Sequence, residues 1–412
     1  MRHSLLAFTE APFKVRTRFS RLAFLRGVLP ALVAGSLLVG GLGCKSDSTG
    51  GAGGTDAASG GTIKIGHYAS LTGDTATFGI ETDEGVKLAI KEINAAGGLL
   101  GKQIELETQD DQSKPEEAKT VATKFAADDK IVAVIGEVAS TRSIAAAPVF
   151  ERAGIPMVSP SSTNEKVTQE GRHIFRVCFI DPFQGKVMAK FAAEDLKAKK
   201  VAILREQSSD YSVGLADVFK AEFEKAGGQI IADASYKTGD TDFRSQLAQA
   251  KGADAIYIPG YYTQVGTIAR QARQLGIKAP LMGGDGWDSE KLVEGAGGPG
   301  KALENCYFSN HYSKDDKSER TQTFVKAYNA EYKKAPSGLA ALGYDAMKII
   351  AEAIKTGNSA DREKITEALA KTKNFPGVTG DITIDENRNA SKSAVVLQIK
   401  GKEFVYTKTV AP

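Results

Sequence analysis

Residues 62–98 read TIKIGHYASLTGDTATFGIETDEGVKLAIKEINAAGG. Ile63 to Ala69 is a short β-rich run. From Phe78 to Ala96 the apolar residues Val86, Ala89, Ile90 and Ile93 recur at helical spacing, with Gly97-Gly98 as the stop. A strand leading through a short loop into a helix is half of a parallel α/β unit, and here the unit recurs. Gln103 to Thr108 reads as a strand, Pro115 to Ala127 as a helix opened by Pro and two Glu, and Ile131 to Ile135 as a buried strand. Ser140 to Ala153 is again helical, and Ile155 to Val158 again a strand.

The rhythm restarts with strands at Lys200 to Leu204, Ile230 to Ala234 and Ala255 to Ile258, alternating with helices at Val213 to Ala226, Phe243 to Ala250 and Val265 to Leu275. Helical stretches Glu319 to Tyr332, Leu339 to Lys355 and Asp361 to Thr372 precede closing β runs Asp381 to Ile384, Ser393 to Ile399 and Glu403 to Lys408. Two such series predict an α/β protein of two Rossmann-like lobes with parallel-sheet cores, built from right-handed crossovers. Ligands of open parallel sheets lie beyond the carboxyl ends of the strands, so two facing lobes enclose a cleft lined by the loops after them.

The chain has 412 residues, 42% hydrophobic and 25% charged, the composition of a soluble globular protein of two to three domains. Its formal charge of +3 comes from the front: Arg2, Lys14, Arg16, Arg18, Arg21 and Arg26 face Glu10 alone in residues 1–43. Without them the remainder is slightly acidic, so no nucleic-acid partner is expected. Gly27 to Gly43 carries no charge and is too short and Gly-rich for a transmembrane span, which makes residues 1–43 read as an export signal. Gly41-Leu42-Gly43 before Cys44 resembles a bacterial lipoprotein cleavage site, with Cys44 as the lipidated residue, although Leu stands one step late. Secretion with cleavage elsewhere is the alternative. Residues 44–61, rich in Gly, Ser, Thr, Asp and Ala, have the composition of a flexible linker. Export leaves Cys178 and Cys306 in an oxidising space, either buried and unpaired or bridged to each other.

Catalytic and metal signatures are missing. His67, His173 and His311 are widely spaced with no Cys cluster, which excludes a recognisable zinc motif. GAGGPGKA at 295–302 imitates a phosphate loop, but Ala302 stands where Ser or Thr must hold magnesium and no β run precedes it, so it reads as a surface turn. There is no G-x-S-x-G elbow, and neither an enzyme nor a cofactor is expected.

What the strand ends do carry is hydroxyl, tyrosine and carboxylate groups. Ser140 opens a helix, Ser159-Pro160-Ser161-Ser162-Thr163-Asn164 follows a strand, and hydroxyls at a helix N-terminus suit a carboxylate. In the second series Tyr211, Tyr261-Tyr262 and Asp285 follow β-type runs. Acceptors for a carboxylate on one lobe and a carboxylate with aromatics on the other suit a zwitterion, an amino acid. Plain turns, N-caps and half-buried packing are the structural alternatives for the same residues.

These residues resemble the leucine/isoleucine/valine-binding protein family, the type I periplasmic solute receptors of ABC importers, over nearly all of 62–410. The likeness rests on Ser70-Leu71-Thr72-Gly73 with Phe78-Gly79, Glu92 to Gly98, Asp110-Asp111, Val134-Ile135-Gly136, Ser159-Pro160 with Thr163-Asn164, Asp181 with Gln184-Gly185, and Gln271-Ala272-Arg273. It implies lobes joined by three crossovers that close on ligand like a hinged trap, one lobe from 62–181 plus 310–390 and the other from 182–309 plus 391–412. By that resemblance Ser140, Ser161 and Thr163 hold the ligand's α-carboxylate, and Thr163, Tyr261 and Asp285 its ammonium. Phe78, Tyr211 and Tyr344 wall the side-chain pocket, with Trp287 nearby. Asp285 stands where the family has a longer Glu, and Phe78 replaces Tyr or Trp. The first-lobe disulfide of enteric members, placed near Gln112 and Ala139, is missing. The implied protein is a monomeric amino-acid receptor delivering to an ABC permease, tied to the membrane by its lipid alone. The competing readings are a receptor for an amide, a urea-like compound or an aromatic acid, and a ligand-sensing domain.

Overall fold

The computed structural model describes residues 61–412. The export segment, Cys44 and nearly all of the linker lie outside the described residues. The first sheet comprises β1 (Ile63–Ala69), β2 (Ile104–Asp110), β3 (Ile131–Ile135), β4 (Met157–Ser159) and β5 (Ile174–Arg176). They lie in the order β2-β1-β3-β4-β5 and all pair in parallel. The second sheet holds β6 (Lys200–Glu206), β7 (Gln229–Tyr236), β8 (Ala255–Tyr257), β9 (Leu281–Gly283) and β10 (Cys306–Asn310). A small antiparallel sheet follows, β11 (Phe375–Gly377), β12 (Gly380–Ile384) and β13 (Ala390–Ser391). Finally β14 (Ala394–Lys400) and β15 (Glu403–Val410) join the second sheet antiparallel, giving the order β15-β14-β10-β9-β8-β6-β7.

Strands β1, β3 and β8 are almost wholly buried because helices cover both faces, which is why they read as unbroken apolar runs. The chain passes between the two sheets three times: after β5, after β10 and between β13 and β14. The long helix Gly338–Thr356 packs on Ala76–Ala95, both on the first sheet's side. Glycine is required where these helices cross. A Cβ on Gly85 would lie 1.9 Å from the Ala340 carbonyl oxygen, and one on Gly343 would lie 2.4 Å from that of Thr82.

The lobes also touch directly at the rims of the cleft. Asp210 N–H donates to Thr141 Oγ1 at 2.9 Å, and Asn164 Nδ2 donates to the Asp210 carbonyl at 2.8 Å. On the other rim Asp288 Oδ2 accepts from Gly338 N at 2.7 Å, capping the helix of the opposite lobe. Cys178 and Cys306 are both free and fully buried, and burial raises each thiol to about 12. No helix among the described residues is long and apolar enough to cross a membrane.

Candidate functional site

The loop after β4 is fixed by its own hydroxyls. Ser159 Oγ and Ser162 Oγ each donate to the Glu137 carbonyl oxygen at 2.8 Å, and Ser162 shares a 2.7 Å bond with Ser143 Oγ. With those two serines engaged inside the lobe, Ser161 projects across the cleft, where its Oγ donates to Asp285 Oδ2 at 3.3 Å. Ser140 begins the helix Ser140–Ala153, and its Oγ accepts from Asn164 N at 3.2 Å. Thr163 Oγ1 is buried with no partner. A buried hydroxyl without a hydrogen bond costs free energy that a ligand acceptor can recover.

From the second sheet, Asp285 follows β9 and is 5% exposed. Its Oδ1 accepts from Tyr211 OH at 3.0 Å, and its Oδ2 lies 3.0 Å from His311 Nε2. Its own N–H donates to Gln184 Oε1 at 2.9 Å, an oxygen that also accepts from Ser309 Oγ at 2.8 Å. The glycines around it allow this approach: a Cβ on Gly284 would lie 2.4 Å from Tyr211 OH, and one on Gly286 would lie 2.8 Å from the Gly260 carbonyl oxygen. Burial, reinforced by the Asp285 charge, pushes the Tyr211 phenol well above its ordinary value, so it remains a donor. Asp181 is raised to about 8 chiefly by its own burial, with the Asp285 charge adding to the shift.

A small cavity of about 10 Å³ lies here, lined by Phe78, Val138, Ser161, Tyr211, Tyr261, Asp285, Gly286 and Leu339. The Tyr211 and Tyr261 rings stack at 5.1 Å and 11°, and Phe78 meets Tyr261 edge-on at 5.7 Å. In this closed form the space is about that of one water, and when its walls part, a buried carboxylate among aromatic and aliphatic side chains suits a small molecule with a positive nitrogen and an apolar body.

Five of the residues singled out in the sequence, Phe78, Ser161, Tyr211, Tyr261 and Asp285, therefore gather around one cavity. Thr163 lies two residues past Ser161 in the same loop, and Ser140 lies at the start of its helix, tied to that loop through Asn164 N. Tyr344 is a correction, because it is not a wall of this cavity: its hydroxyl bonds Glu92 Oε2 at 2.5 Å and its ring packs on Phe324. The helix explains why. Leu339 faces the cavity, and five residues on, at about 100° each, the side chain points roughly 140° away. Trp287 is core, fully buried with Nε1 donating to the Ile258 carbonyl at 2.9 Å. Sequence reasoning missed His311, Val138 and Leu339. The signal for His311 was its place directly after an apolar run ending at a strand terminus, masked because β10 itself went unread.

Residues 62–403 match the family described as periplasmic binding protein. The leucine-, isoleucine-, valine-, threonine- and alanine-binding protein of Pseudomonas aeruginosa is 33% identical over 329 residues, covering 79% of this chain and 86% of that one. The solved leucine binding protein LivK of Thermotoga maritima is 41% identical with a TM-score of 0.81, covering 85% of this chain and 99% of that one. LivJ of Streptococcus pneumoniae, solved in complex with isoleucine, is 38% identical with a TM-score of 0.81, covering 85% of this chain and all of the other.

Proposed function

The chain belongs to the periplasmic binding protein family, and from that premise we propose that it is an exported receptor for a branched-chain or other aliphatic amino acid. It captures the ligand by hinged closure of its lobes and delivers it to an ABC importer. The observation that carries this reading is Asp285: a carboxylate nearly removed from water, at the lobe interface, with neutral hydrogen-bond donors and no Lys or Arg pairing with it among the described residues. A buried anion of this kind needs a cation, and the ligand's ammonium supplies it.

In this pose the ammonium sits against Asp285 with Thr163 and Tyr261. The α-carboxylate lies toward Ser140, Ser161 and Thr163 at the N-terminus of the helix Ser140–Ala153, whose orphan N–H groups and dipole favour an anion. Ser161 gives up its bond to Asp285 to meet the ligand. Phe78, Val138, Tyr211 and Leu339 then cover the side chain, and their apolar surfaces favour an aliphatic one. The protein is a monomeric receptor with no catalytic step, and a lipid on Cys44 keeps it at the cell envelope. Mass spectrometry of the membrane-extracted protein tests the anchor, since an unacylated N-terminus refutes it. For the ligand, a thermal-shift screen of the twenty amino acids decides. At about 100 times its dissociation constant a true ligand adds roughly 2.7 kcal/mol to the folded state. No shift with any aliphatic amino acid overturns the reading.

A further inference from the structure

His311 follows β10, and its side chain is fully buried. It stacks on Phe179 at 3.6 Å and 27°, so its plane is fixed. Nε2 lies 3.0 Å from Asp285 Oδ2, while Nδ1 is buried with no partner. This geometry selects one state of the ring. An ionised carboxylate only accepts, so Nε2 must carry the hydrogen. An imidazolium would place a second N–H on Nδ1, buried and facing no acceptor. The tautomer with hydrogen on Nδ1 instead would set a nitrogen lone pair against the carboxylate. The neutral Nε2–H form is therefore the one that fits.

Neutrality matters because of what else surrounds Asp285. Its side-chain donors are Tyr211, Ser161 and His311, and none brings a charge when His311 is neutral. Strand β10 keeps the chain in the second sheet to Asn310, so the lobes part after it rather than at 309/310, and His311 stands at the end of that sheet. Of the three donors only Ser161 comes from the opposite lobe, by the longest bond. Tyr211 and His311 bind the carboxylate from its own side and stay in place when a ligand displaces Ser161.

Resting on the receptor reading above, we infer that His311 is a positioning residue for amine recognition: as a neutral donor it orients the Asp285 carboxylate without cancelling its charge, reserving that charge for an ammonium. The short Asp side chain makes the brace necessary, since a carboxylate that turns away from the cleft cannot reach the amine.

The test compares wild type with His311→Phe, which keeps the stacking and removes the donor, and His311→Gln, which retains an amide donor. Calorimetry with leucine and with 4-methylpentanoate, the same skeleton without its amine, separates positioning from general packing. His311→Phe should weaken leucine by about ten- to a hundredfold, the range of a hydrogen bond to a charged group, and leave 4-methylpentanoate unchanged. His311→Gln should recover a large part of the loss. In ¹⁵N NMR of the ligand-free wild type at pH 7, the His311 nitrogens should show the neutral Nε2–H pattern, a readout that stands even if the Phe variant does not fold. Unchanged leucine affinity in His311→Phe, equal losses for both ligands, or an imidazolium signal overturns the role. A wild type that binds no amino acid refutes the receptor reading and this role with it, whereas a wild type that binds leucine no better than His311→Phe refutes this role alone.

Discussion

Asp285→Asn keeps the side chain's shape and removes its charge. An ammonium in contact with the carboxylate at the 3.0 Å seen for Tyr211 and His311 gains about 5 kcal/mol of Coulomb energy at an effective dielectric of about 20. The amide recovers part of this, because its carbonyl oxygen still accepts one hydrogen bond, worth about 1 kcal/mol. Desolvation of the ammonium, which is the same in both proteins, then goes uncompensated in the variant. The net expectation is a loss of roughly 2–4 kcal/mol, or about thirtyfold to a thousandfold in Kd. Isothermal calorimetry with leucine, isoleucine and valine at pH 7 reads this directly, and the melting temperature of the ligand-free variant controls for folding. A Kd within about threefold of wild type, in a variant that melts normally, would refute the claim that this charge holds the amine.

Gly85→Ala forces a methyl against the Ala340 carbonyl and should cost about 1–3 kcal/mol or more in a urea titration, because backbone cannot step aside. Cys178 and Cys306 should react with a thiol reagent only after denaturation, and a reductant should leave the melting temperature where it is; a reductant-sensitive transition would contradict the free thiols. Stability should fall as pH rises from about 6.5 to 7.5. Asp181 is held near 8 and Glu81 near 7, each chiefly by burial, so in that window the folded protein binds protons that the unfolded chain, titrating near 4, has already lost. The lowered His67 and His311 oppose this at the lower edge of the window, where unfolded imidazoles near 6.5 are still about half protonated, and the lowered Lys392, near 8, opposes it at the upper edge, so the slope is partly offset at both ends. Asp181→Asn, neutral throughout, should flatten the slope, and a wild type whose melting temperature climbs across this range would contradict the assignment.

The α/β architecture was legible because its longer elements carry strong periodicity. Strands Ile63–Ala69 and Ile131–Ile135 and helices Ser140–Ala153 and Glu319–Tyr332 lie where their apolar patterns place them. Some of the elements that went unread are those where periodicity has no room to act. Ile174–Arg176 and Leu281–Gly283 are three residues long and gain their strand geometry from neighbours already in the sheet. The helix Asp181–Lys190 is interrupted by Gly185, which is small because Val218 of the next helix presses on it at 2.6 Å from where a Cβ would be. In the site, the residues on strand-end loops could be anticipated, since topology brings such loops together. Tyr344 was misplaced because spacing along a helix reveals its faces but not which face meets the cleft. His311 went unnoticed because a lone histidine acquires meaning only beside the carboxylate that folding brings within 3.0 Å of it.

The rim bonds between Asp210 and Thr141 and between Asp288 and the Gly338 amide have a further consequence. None of them involves the guest, so they strengthen the shut form by the same amount whatever is inside. Thr141→Ala should accordingly weaken every amino acid by one common factor and leave their ranking untouched. Avidity and taste are set by different parts of this molecule, and evolution or an engineer can retune either without disturbing the other.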